Sequence, residues 1–164
     1  MDGAVVQELS AANIFLVLRT GEIVTPGLGR GTILPGVTRE SILILAEEYK
    51  AEVRAAMMKS TGDESVQVTV SERDVTVSDF RNAVEVFVTG TAAEVVPVAS
   101  LATGSKDEDD FEMTFEHGKT LPGGPVTELL LQILRDVMVG RRTPEITKGW
   151  LRDPFSSPEA FRSG

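Results

Sequence analysis

The strongest constraint on the fold is a change of hydrophobic period at Thr38. From there Ile42, Leu45, Ala46, Tyr49, Val53, Ala56 and Met57 recur every three or four places, which sets them along one face of a helix. That helix is expected to run on to Ser60-Thr61-Gly62. Ahead of it the pattern is different: Asn13 to Leu18 is a compact apolar run, followed by Arg19-Thr20-Gly21-Glu22 and then Ile23-Val24. This reads as strand, turn and strand. Glycines 27, 29, 31 and 36 with prolines 26 and 35 make residues 25–36 an irregular connection.

Beyond the helix, Val66, Val68 and Val70 alternate with polar residues, as do Val75 and Val77, so two short half-buried strands are expected around 71–74. A short helical segment is expected from Ser78 through Asn82. Val84, Val86 and Val88 alternate again into Thr89-Gly90-Thr91, and Glu94 to Val98 is a further strand. Pro125 suits the first turn of a second amphipathic helix carrying Val126, Leu130, Ile133 and Val137, which Gly140 ends. Strands mixed with two main helices predict an α/β or α+β domain with a mixed sheet. The stretch after Trp150 reads as a loose tail.

At 164 residues, 41% hydrophobic and 25% charged, the chain has the size and balance of one soluble globular domain. A formal charge of −9 repels phosphate backbones and argues against nucleic acid as the main partner, so any anion must be held locally. The absence of cysteine excludes a disulfide scaffold, a thiol nucleophile and a zinc-thiolate centre. No apolar run approaches the ~20 residues of a membrane span, and no signal or transit segment is visible. The expectation is a soluble protein with no membrane partner and no legible address.

Three segments offer chemistry when taken together. A carboxylate at Glu8 precedes the first strand, a turn opens a helix at Val37-Thr38, and Thr89-Gly90-Thr91-Ala92-Ala93 makes a turn rich in backbone N–H groups. Such a set suits a phosphorylated, nitrogen-containing cofactor, because the first amides of a helix lack intrahelical partners and sit at the positive end of its dipole. Each residue also has a plain structural reading: Thr38 as an N-cap, Gly90 as a turn residue, Glu8 as an exposed carboxylate. His117 has no Ser or Asp partner at a triad spacing, and the acidic run 107–110 lacks the pattern of a calcium loop, so neither a triad nor a metal site is expected. Gly27-Leu28-Gly29-Arg30-Gly31 fits neither a Walker loop nor a dinucleotide fingerprint.

In order and separation, these segments resemble the large domain of branched-chain amino acid aminotransferases, the fold-type IV enzymes that use pyridoxal 5′-phosphate. Val6-Gln7-Glu8-Leu9-Ser10-Ala11-Ala12-Asn13-Ile14-Phe15 is similar to the family's Glu-x-Ser-x-x-Asn-Ile-Phe, and Gly31-Thr32-Ile33-Leu34-Pro35-Gly36-Val37-Thr38-Arg39 to its Gly-Thr-Ile-Leu-Pro-Gly-Ile-Thr-Arg. Glu85-Val86-Phe87-Val88-Thr89-Gly90-Thr91-Ala92 resembles Glu-Val-Phe-x-Thr-Gly-Thr-Ala. The resemblance implies an α/β fold with a mixed sheet, as a partial barrel with flanking helices, over residues 1–151, with 152–164 as tail. It implies that Glu8 bonds the cofactor's ring nitrogen, that Val37, Thr38 and Thr91 hold its phosphate, and that Thr91 and Ala92 receive the substrate carboxylate. Implied partners are an amino acid and a 2-oxo acid, with a homodimer as the complete enzyme in cytoplasm, mitochondrion or plastid.

Three departures from the family pattern bear on activity. One residue more than the usual pattern lies between Pro26 and Ile33, and the segment 55–65 is longer than common. The family's Schiff-base lysine precedes the position of Glu8 by a few dozen residues, a place that none of Lys50, Lys59, Lys106, Lys119 or Lys148 occupies, and the small domain that supplies a phosphate-binding arginine also precedes it. No catalytic residue is therefore expected in this chain, which alone should not complete the cycle, whether it is a fragment, a truncated product or a degenerate relative. The rival readings are another fold-type IV enzyme, such as a D-amino acid aminotransferase or aminodeoxychorismate lyase, and a non-catalytic module.

Overall fold

After its leading asparagine the run Asn13–Leu18 is apolar at every position, so it can be buried on both faces, and it forms the middle strand of the main sheet. The computed structural model describes residues 5–6, 12–31, 33–102, 112–119, 121 and 123–150. In chain order its strands are β1 (Val5–Val6), β2 (Asn13–Leu18), β3 (Glu22–Thr25), β4 (Thr69–Glu72), β5 (Val75–Thr76), β6 (Ala83–Gly90), β7 (Glu94–Pro97), β8 (Ser100–Ala102) and β9 (Glu112–Thr114). The helices are α1 (Val37–Glu48), α2 (Lys50–Thr61), α3 (Val77–Asn82) and α4 (Pro125–Met138). The main sheet is ordered β4-β3-β2-β6-β7; only β3 and β4 run parallel, and the α1–α2 pair forms the crossover between them. The mixed α/β architecture is the one expected.

Alternation along β2 and β6 divides the core in two. Phe15, Val17 and Phe87 face α1, α2 and α4 together with Ile42, Leu45, Val53, Met57, Leu130 and Ile133, while Ile14, Leu16 and Val86 pack with Phe80 and Phe115 on the opposite face. Phe15 and Phe87 are opposite each other in the β2–β6 register and stack at 5.0 Å between centroids. Gly21 closes the β2–β3 hairpin at φ +93°, and a Cβ there would collide with the Gln67 carbonyl.

Three local expectations are corrected. The single helix from Thr38 is two helices, because Tyr49 leaves helical geometry at φ −100°, ψ 30°. Its ring lies under the Arg142 guanidinium at 4.8 Å, and Arg142 in turn binds Glu52 on α2 at 2.8 and 3.1 Å. The apolar stripe nonetheless continues across the break, and Gly62 ends α2 in the left-handed region. Val66 and Val68 are buried but lie outside any strand, since β3 begins at Glu22 and pairs no earlier than Thr69. Val77 belongs to α3 rather than to a strand: Thr76 and Asp79 form a capping box that starts the helix at that residue.

Candidate functional site

The start of α1 is built from three sequence details. Gly36 is its N-cap, extended at φ −73°, and no side chain caps the helix, so Thr38 is the second helical residue and not the cap. A Cβ on Gly36 would collide with the Asn13 side chain, whose Nδ2 donates to the Leu34 carbonyl at 2.9 Å. Asn13 thus fixes the turn ahead of the helix. One position inward, the buried Arg39 donates to the Pro26 carbonyl at 2.8 Å and pairs with Glu72 of β4, tying the first turn to the sheet edge. Among the described residues no acceptor outside the helix meets the opening amides of α1.

Thr91 approaches from the β6–β7 hairpin. Gly90 and Glu94 pair across it, leaving a three-residue loop of Thr91, Ala92 and Ala93. Glu94 occupies the left-handed region at φ +56°, where a bulge residue of such loops commonly sits, and it is held there by Arg135 of α4 at 2.7 Å. Val37, Thr38 and Thr91 line one cleft of about 620 Å³ with Glu40, Ser41, Ile44, Glu94, Leu134, Val137, Met138 and Trp150. Its size and largely apolar wall are those of a small-molecule site.

The structure therefore brings together Val37, Thr38 and Thr91. Ala92 is exposed in the hairpin loop and does not line the cleft. Glu8 lies outside the described residues, as do the acidic run 107–110 and the tail. His117 sits, half-buried, in the short turn Glu116–Gly118.

A phosphate fits this donor set: two open helix-start amides, the hydroxyls of Thr38 and Thr91, and the positive end of a 12-residue helix. Two carboxylates share the cleft, but Glu94 is already neutralised by Arg135. No lysine lines the cleft among the described residues.

Glu85 was not anticipated. It is 1% exposed on β6, and its carboxylate accepts from the amides of Val126 at 3.0 Å and Thr127 at 2.8 Å, from the Thr127 hydroxyl at 2.6 Å, and from the Ser60 hydroxyl. The Val84-Val86-Val88 alternation puts Glu85 on a nominally polar face. The available signal was Phe87 on that same face, together with Gly124-Pro125, a helix start that has no capping side chain of its own.

The family model for class IV amino-transferases matches residues 2–101. The mitochondrial branched-chain-amino-acid aminotransferase 1 of Arabidopsis thaliana is 38% identical, over 91% of this chain and 31% of that protein. A cytosolic branched-chain-amino-acid aminotransferase of Caenorhabditis elegans is 33% identical, over 89% and 33%. Among solved structures, the branched-chain amino acid aminotransferase of Escherichia coli superposes with a TM-score of 0.62 at 27% identity, covering 91% of this chain and 38% of that one. The chain spans about a third of the length of the curated relatives it matches.

Proposed function

The chain belongs to the class IV amino-transferase family, and from that premise we propose that it forms the cofactor-binding part of a branched-chain amino acid aminotransferase that uses pyridoxal 5′-phosphate. In this reading the substrates are leucine, isoleucine or valine with 2-oxoglutarate as acceptor, and the complete enzyme is a homodimer. The observation that carries it is the meeting of the open α1 start and Thr91 in one cleft, on a fold similar to that of a branched-chain aminotransferase.

Pyridoxal phosphate, when bound, supplies the electron sink for charge developing at the substrate Cα. The amides of Val37 and Thr38 and the hydroxyls of Thr38 and Thr91 would hold its phosphate by charge-assisted hydrogen bonds. Glu8 would keep a proton on the ring nitrogen, and the Thr91-Ala92 amides would receive the substrate carboxylate. Leu134, Val137, Met138 and Trp150 supply an apolar wall that limits water at the site.

Joining this chain to the lysine-bearing N-terminal domain of a similar aminotransferase tests the reading. A folded fusion should retain pyridoxal phosphate and transaminate the three branched-chain amino acids. A folded fusion that does neither would overturn it in favour of a non-catalytic module, and a fusion active only on D-alanine would place the chain with the D-amino acid enzymes.

A further inference from the structure

We propose that Glu85 is a positioning residue: seated on the N-terminus of α4, its buried carboxylate locks the strand that carries Thr91 to that helix and so holds Thr91 opposite the open start of α1. The inference rests on the proposed phosphate role of Thr38 and Thr91 and adds a residue that touches neither cofactor nor substrate.

The geometry is specific to a clamp. Pro125, as the first residue of α4, has no N–H, so Val126 and Thr127 carry the first two amides of the helix, and Glu85 takes both. Gly124 cannot cap with a side chain, and a Cβ there would collide with the Glu85 carboxyl group, so the glycine is what lets the carboxylate reach the helix axis. Among the described residues the four groups donating to Glu85 include no cation; the carboxylate is met by two hydroxyls, two amides and the helix dipole.

The same helix grips the hairpin a second time. Nearly three turns along, Arg135 holds Glu94, on the far side of the Thr91 loop. Glu85 and Glu94 thus bracket Thr91 in sequence, and α4 fastens both. Asn13, which fixes the turn ahead of α1, also pairs with Thr89 of β6, so strand and turn share the sheet. A loosened α4 start would act on the Thr91 loop beyond that ladder, letting it shift against the first turn of α1, which Arg39 ties to the Pro26 carbonyl.

Pyridoxamine 5′-phosphate is the probe, since it has no aldehyde and its binding needs no lysine. Titration of the whole chain should show Glu85→Gln, which places an NH2 against a helix-start amide, binding at least fivefold more weakly at a temperature where it is fully folded. Val53→Ala, a core variant on α2 chosen to lower the melting temperature comparably, should bind within twofold of the parent. Thr127→Val, which removes one donor, replaces Glu85→Gln if the latter does not fold. Equal losses in Glu85→Gln and Val53→Ala, or a Glu85→Gln affinity within twofold of the parent, would overturn the proposal.

Should the parent itself not bind the probe, the phosphate reading fails and the clamp is judged by amide exchange. Faster exchange in Glu85→Gln at Val126, Thr127 and also Thr91, with α1 unchanged, supports it. Acceleration confined to Val126 and Thr127 overturns it.

Discussion

The two long helices that bound the cleft both begin on a glycine with no capping side chain, and they are completed in opposite ways. At α4 the opening amides are filled by a carboxylate of the protein itself, Glu85, and the start is buried. At α1 no acceptor arrives from the described residues, Val37 stays exposed, and the start faces a cleft shared with Thr91. A helix start closed from within serves architecture, and one held rigid but left open is a place for an anion. One strand serves both, with Glu85 near its beginning and Thr91 just past its end.

The contrast is broken most severely at the closed end. Glu85→Ala leaves two buried amides and two hydroxyls without an acceptor, and since each unsatisfied group costs ~1–3 kcal/mol while removal of a buried charge offsets part of that, a loss of roughly 2–5 kcal/mol in urea denaturation is expected. Next in size come the two glycines. Overpacking costs about 1–3 kcal/mol; Gly124→Ala should fall at the upper end, because Glu85 is pinned by four donors, and Gly36→Ala at the lower end, because Asn13 can rotate at the loss of one bond. Gly36→Ala should also weaken phosphate binding, and Gly124→Ala should do so only through the Thr91 strand.

At the open end the expectation inverts. Thr38→Ala and Thr91→Ala should change stability by less than ~0.5 kcal/mol, since neither hydroxyl bonds to any of the described residues, yet each should weaken binding of a pyridoxal phosphate analogue by about tenfold to a hundredfold, the worth of a hydrogen bond to a charged group. The smallest effect lies away from both starts. Arg73 binds Glu22 at 2.6 Å and Asp79 at 2.9 Å, and its guanidinium holds both carboxyls below their ordinary values of 4.5 and 3.8. Stability from this cluster is present at neutral pH and is lost as pH falls through and below those values. Acid titration of unfolding should show that loss, and Arg73→Gln should flatten it while leaving both helix starts alone.

Much of the fold is legible in the residues, because period and breakers are local. The β2–β3 hairpin, the β6–β7 hairpin and the Pro125–Met138 helix follow from runs and punctuation within a few positions. What escapes depends on distant partners. Tyr49 breaks its helix beneath an arginine more than ninety residues on, and Val66 and Val68 fail to pair because β3 starts too late. At the candidate site, Val37, Thr38 and Thr91 line one cleft, and Ala92 does not. Glu85 was hidden for a physical reason: its partners are backbone amides 41 and 42 residues away, and amides carry no sequence signature.

In the proposed reading α1 begins as an open anion site while α4 begins as a closed one. Amide resonances of the labelled chain, followed while pyridoxamine 5′-phosphate is added, test it most directly. Saturable shifts are expected at Val37, Thr38 and Thr91, with Val126 and Thr127 unmoved. Shifts of equal size at both helix starts, or none at Val37 and Thr38 under saturating probe, would contradict it.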